Sequence, residues 1–153
     1  MSEEEDVYKI NISAGKGSPE EYIGKTKVIR LEEDKFTLVG KKIGETFNGS
    51  IIGLSGFTLR ITGGSNDAGI PMRFDIEGPV KKKILLSKGP CYNLSRREKR
   101  SRSRSRARNP DGTRRRKVVC GNEITYDTVQ VNCVIEKFGK DDSLFAVSIE
   151  GDD

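Results

Sequence analysis

No histidine and no tryptophan occur among the 153 residues, and cysteine appears only three times. The first absence removes the commonest general base and any mixed Cys/His zinc site. Cys91, Cys120 and Cys133 are scattered, form no C-x-x-C pair and are too few for a disulfide framework. They read as free thiols in a reducing compartment, Cys133 as a small apolar residue within a strand pattern. Apolar residues make up 33% of the chain, below the roughly 45–50% of globular domains on a count that includes glycine. That admits only a modest core. No apolar run nears the roughly 18 residues that span a bilayer, and Met1–Asp6 is acidic where a signal peptide is positively charged. A cytoplasmic protein with no membrane partner is expected. There is no metal constellation and no nucleophile–base pair, and Glu32, Glu33 and Asp34 read as a solvated acidic cluster. Neither catalysis nor a cofactor is expected.

What the chain has in excess is positive charge in one place. Arg96, Arg97, Lys99, Arg100, Arg102, Arg104, Arg106, Arg108, Arg114, Arg115, Arg116 and Lys117 are opposed within 96–117 only by Glu98 and Asp111, a net +10. The whole chain carries +5, so the remainder is at −5. A mildly acidic body thus bears one intensely basic arm. Such a density of guanidinium repels itself and is satisfied by a polyanion. Arginine forks phosphate oxygens and stacks on exposed bases better than lysine does. A merely solubilising tail is the blander reading, but tails rarely sit between two stretches of folded-looking sequence.

Those flanking stretches alternate as short strands. Tyr8, Ile10 and Ile12 alternate with Lys9, Asn11 and Ser13, and Lys27–Leu31 is a second candidate. Glu32–Val39 fits one or two helical turns or a strand. Gly40, Gly44, Gly49, Gly53 and Gly56 recur too often for a long helix. Phe57–Thr62 is a clear strand, followed by a glycine-rich turn from Gly63 to Gly69 that Pro71 closes. Lys83–Ser87, Val129–Ile135 and Phe145–Ile149 follow, the last across a Gly139–Asp142 turn. The pattern predicts an all-β, mainly β fold: a small bent β-barrel of short strands with a basic arm and few short helical turns. The predicted organisation is a body over 1–95, the arm over 96–117, and returning strands with an acidic tail over 118–153.

Gly64 and Gly69 show the G-x-x-x-x-G spacing of a phosphate loop, but Ile70 and Pro71 stand where Lys and Ser or Thr are required. A nucleotide site is not expected. What remains is a tight loop in which Gly63 and Gly64 let backbone amides approach an anion, with Arg73 beside it. Lys81, Lys82, Lys83 and Lys88 are candidates to line one RNA-facing edge.

The run Ile61–Thr62–Gly63–Gly64 through Gly69–Ile70–Pro71–Met72–Arg73 resembles the signature of the S6e family of small-subunit ribosomal proteins. Gly40–Gly44, Lys83–Pro90 and Gly112–Val119 with Gly121 and Asn122, leading into Asp127–Asn132, agree with it in order. The acidic close at Glu150, Asp152 and Asp153, in place of a long basic helical extension, aligns the resemblance with the archaeal branch. The resemblance implies a compact β-barrel that binds small-subunit ribosomal RNA as a structural, non-catalytic component of the cytoplasmic ribosome. Neighbouring ribosomal proteins are the implied protein partners, and no homo-oligomer is expected. Asn66 stands where the family carries aspartate, Ile70 where an aromatic residue is usual, and Cys120 where arginine is common. Ser101–Arg108 looks like an insertion relative to the family, and Met1–Lys35 matches it weakly. The alternative is an RNA-binding adaptor whose arginine/serine segment is regulated by phosphorylation at Ser101, Ser103 and Ser105.

Overall fold

Alternating burial along the first strand sets the frame. In β1 (Tyr8–Ser13) the side chains of Tyr8, Ile10 and Ile12 are buried, and Lys9 between them is exposed. The structure is a computed structural model that describes residues 8–16, 18–31, 38–92 and 114–139. The segment 32–37, most of the basic arm, the terminal strand expected at Phe145–Ile149 and both acidic termini lie outside these residues. The described chain continues with β2 (Thr26–Leu31), β3 (Thr46–Asn48), β4 (Thr58–Asn66), β5 (Lys81–Leu86), β6 (Arg115–Cys120) and β7 (Thr128–Lys137). It includes short 3-10 turns at Glu20–Tyr22 and Gly49–Ile52, in keeping with the glycine punctuation.

Five strands form one sheet in the order β2-β1-β7-β4-β3, and β5 pairs with β6 in a separate two-stranded ribbon. β7 is central, parallel to β1 and antiparallel to β4. That position explains why Val131, Cys133 and Ile135 are all within 1% of full burial. The β4–β7 ladder shifts register at Thr58/Leu59, Ile61/Gly63 and Ser65/Asn66. Each such irregularity bends and twists the sheet.

The mainly β fold of short, bent strands is as the sequence predicts, but among the described residues the ladders do not close into a barrel. Between the sheet and the ribbon the described chain is joined by single bridges, Lys42 with Glu123, Met72 with Cys120 and Ser65 with Pro71. Pro71 has no N–H with which to continue a ladder past its bridge, although its carbonyl accepts from the Cys120 amide at 2.9 Å.

The main core gathers Ile10, Ile12, Leu38, Phe57, Leu59, Ile61, Ile124 and Val131 with their neighbours. Burial of each large side chain contributes about 1.5–3 kcal/mol. A second, smaller cluster of Leu86, Tyr92 and Val119 packs beneath the ribbon. All three cysteines are free.

Burial pushes the Cys133 thiol up to about 12, and raises the Tyr8 phenol above its ordinary value, with Cys133 adding to the effect. Both groups hold their protons longer folded than unfolded. Their contribution is therefore complete below the unfolded thiol pKa of about 8.5, and stability is lost as pH rises above it, by up to about 1.4 kcal/mol per pH unit per group. The thermal midpoint should stay level to about pH 8 and fall above about pH 9. The fall should be shallower in Cys133→Val and shallower again with Tyr8→Phe added. Identical alkaline slopes in all three proteins would contradict this assignment.

Candidate nucleic-acid interface

The ribbon is built from two segments of the same design. Lys81–Leu86 reads KKKILL and Arg115–Cys120 reads RRKVVC, three cations followed by three apolar residues. Antiparallel pairing sets the cations of each against the apolar half of the other. Lys81 faces Cys120, Lys82 faces Val119, Lys83 faces Val118, Lys117 faces Ile84, Arg116 faces Leu85 and Arg115 faces Leu86. No two like charges stand directly opposite, an arrangement that would otherwise oppose pairing. The alternation of a strand then divides the ribbon into two faces. One carries Val119, Ile84 and Leu86 toward the small core, with Lys117 Nζ 5.9 Å from the Tyr92 ring centroid. The other presents Lys83, Leu85, Arg116 and Val118, all exposed.

From Lys81 to Tyr92 and from Arg114 to Cys120 there are eight basic residues and no acidic one. Lys81 is committed within the fold. Its Nζ donates to Asp127 Oδ2 at 2.8 Å, which raises the ammonium pKa. Lys82, Lys83, Lys88, Arg114, Arg115, Arg116 and Lys117 are exposed. The residues on either side of 93–113 are held together: Leu86 pairs with Arg115, and buried Tyr92 packs against Leu86 and Val119. Arg96, Arg97, Lys99, Arg100, Arg102, Arg104, Arg106 and Arg108 therefore belong to a segment whose two attachments share one ribbon. They lie outside the described residues. Arg115, Arg116 and Lys117, read from the sequence as the end of the arm, are strand residues of β6.

The signature loop is tied into the fold by its own contacts. Gly63 and Gly64 lie in β4, opposite Asn132 and Val131 of β7. Of the glycines from 63 to 69, only Gly69 has a left-handed backbone, at φ 73°. A Cβ on Gly64 would overlap the carbonyl oxygen of Gln130 and lie 3.0 Å from Met72 Sδ. Two backbones meet at Gly64, which leaves no room there for a side chain. The loop amides are already engaged: Ile70 N–H donates to Asn66 Oδ1 and Ala68 N–H to Asp67 Oδ1, both at 2.7 Å. Gly69 N–H donates to Asn66 O and Asp67 N–H to Asp127 O. No open nest of donors is left among 66–70.

Arg73 is likewise employed by the fold. Its Nε donates to Asp75 Oδ1 at 2.6 Å and its Nη1 to the Pro90 carbonyl at 3.2 Å. The hydrogen bond from Arg73 holds the Asp75 carboxyl below the usual carboxylate range, and the same bond raises the guanidinium. Arg73 braces the turn after β5, with its side chain only 18% exposed. The sequence reading missed this brace, and it missed the antiparallel complementarity of KKKILL and RRKVVC, which was visible in the letters.

The ribbon thus offers a surface of exposed cations with no acidic residue among them. Comparison with known sequences makes the assignment specific. A profile of the family described as "Ribosomal protein S6e" matches residues 8–144, so the chain belongs to that family. The match begins at β1, within the Met1–Lys35 stretch where the resemblance is weak. A protein named small ribosomal subunit protein eS6 from Methanocaldococcus jannaschii is 41% identical over 122 residues, 80% of this chain and 82% of its own. The protein of the same name from Methanococcus maripaludis is 37% identical over 113 residues, 74% of this chain and 80% of its own. That from Staphylothermus marinus is 46% identical over 109 residues, 71% of this chain, but the match spans only 44% of the longer relative.

Proposed function

We propose that this protein is a structural component of the small ribosomal subunit, bound to ribosomal RNA through phosphate contacts made by the β5–β6 ribbon and the basic segment it carries. Family membership supports the ribosomal role. The observation that carries the mode of binding is the run of exposed cations on the ribbon at the two attachments of 93–113. The contacts are Lys82, Lys83, Lys88, Arg114, Arg115, Arg116 and Lys117 on the ribbon, with Arg96–Arg108 beyond it. Gly63, Gly64 and Arg73 are assigned to the scaffold, and Lys81 to its ion pair.

The 22 residues of 96–117 would reach on the order of 70 Å if fully extended; with 115–117 held in β6, the remainder is long enough to pass between RNA helices. Base readout by the arm is expected to be poor, since the A-form major groove is too narrow for side chains and shape dominates recognition. If about six cations displace condensed counterions, log affinity should fall against log salt with a slope near −4, at roughly −0.7 per phosphate. Deleting Arg96–Arg108 tests the reading. The slope should flatten while the thermal unfolding of the body changes little. An unchanged slope would remove the arm from the interface.

A further inference from the structure

Where Gly121 passes beneath Gly78, two loops approach so closely that a Cβ on Gly121 would overlap the Gly78 carbonyl oxygen. The crossing is fastened by Gly121 N–H to Val80 O and Asn122 N–H to Ile76 O, each 2.8 Å, and by Gly78 N–H to Asn122 Oδ1 at 3.2 Å. Beside it, at the Lys81 end of the ribbon, lies a pocket of about 390 Å3, within the roughly 300–1,000 Å3 of small-ligand sites. Its lining includes Cys120, Glu123, Tyr126 and the Lys81–Asp127 ion pair. Tyr126 is 61% exposed, although large apolar and aromatic residues are usually drawn inside. The Glu123 carboxylate, half-buried, has no ion-pair or hydrogen-bond partner among the described residues.

We infer that this pocket takes an unstacked guanine base of the bound RNA, with Tyr126 stacking on the ring and Glu123 accepting from its N1–H and exocyclic amine. This rests on the RNA-binding reading above and deepens it. A phosphate is unsuited to the pocket: the one lysine there is neutralised by Asp127, and Glu123 would repel it. A planar base needs an aromatic platform and partners for its edge, which is what the lining offers. Of the four bases, guanine alone presents two adjacent donors on its Watson–Crick edge, matching the paired acceptors of a carboxylate. A partner protein's arginine offers a similar fork, but it comes on no polymer that the exposed Lys82 and Lys83 would attract. Guanine supplies the donors without the charge, on a polymer the neighbouring cations already attract.

The test uses the full chain and fluorescently labelled heptauridylates whose central residue is guanosine, inosine or adenosine. Anisotropy should show the guanosine oligomer binding about tenfold tighter than the inosine one, which lacks the exocyclic amine. Glu123→Gln should erase that preference, and Tyr126→Ala should weaken the guanosine oligomer about tenfold, whereas Tyr126→Phe, which keeps the ring, should bind as the parent does. Equal affinity for the three oligomers, or no effect of either substitution, would overturn the pocket while salt-dependent RNA binding persisted. Competition by millimolar arginine amide that is equal for guanosine and inosine oligomers would assign the pocket to a guanidinium and overturn the base. Failure to bind any RNA would instead sink the proposed function itself.

Discussion

Gly64→Val should be among the most destructive single substitutions in the described chain, lowering stability by about 3 kcal/mol or more. The added side chain has no free volume. It meets backbone, the Gln130 carbonyl, on one side and Met72 Sδ on the other. A flexible side chain can turn away, but a strand carbonyl moves only if the β4–β7 ladder parts. That ladder holds Leu59 and Ile61 against Cys133 and Ile135, all within 1% of full burial. The Met72 amide also donates to the Gly64 carbonyl at 2.9 Å, so the crossing to the ribbon would be disturbed with it. Chemical denaturation of the purified variant should show a midpoint well below that of the parent. A parent-like midpoint would mean that β4 and β7 are not in contact at Gly64. Gly63→Ala is the control, because a Cβ at Gly63 meets nothing within 4 Å.

The second large effect is on binding rather than stability. Replacing Lys82, Lys83, Arg116 and Lys117 together by glutamine should leave the unfolding midpoint nearly unchanged, because all four side chains are exposed. Affinity for small-subunit RNA should nevertheless drop on the order of a hundredfold or more at 0.1 M salt, and the log–log salt slope should become less negative by about 3 if all four cations meet phosphates. The two quantities must move together. A loss of affinity without a change in slope would mean that the four residues act through shape or stacking. No loss at all would leave the ribbon as a solvated face and the interface elsewhere. Lys81→Gln belongs to a separate experiment, since that residue is tied to Asp127 and its removal disturbs the fold as well as the charge.

Much of the architecture was legible because burial writes a period of two into a strand. β1, β4 and β7 each carry that alternation, and the structure buries the alternate residues it marks. β3 was not legible, since its three residues hold one buried side chain, Phe47, between exposed Thr46 and Asn48. Closure was overestimated for a related reason. Alternation identifies strands but not their partners, and the gap is bridged by irregular segments around Lys42, Pro71 and Glu123. At the interface, the concentration of charge was visible but its apportionment was not. Arg73 and Lys81 look like phosphate ligands in sequence, and only coordinates reveal that Asp75, Pro90 and Asp127 already occupy them. Gly64 shows the same limit. Glycine announces that something comes close, and only coordinates name the neighbouring strand.

Fractionation of a native cell extract on a sucrose gradient, with each fraction probed for this chain, addresses the central claim most directly. The chain should sediment with the small ribosomal subunit, persist there after the subunits are separated, and be released only as salt is raised. Recovery at the top of the gradient with free soluble proteins, at low and high salt alike, would contradict the account.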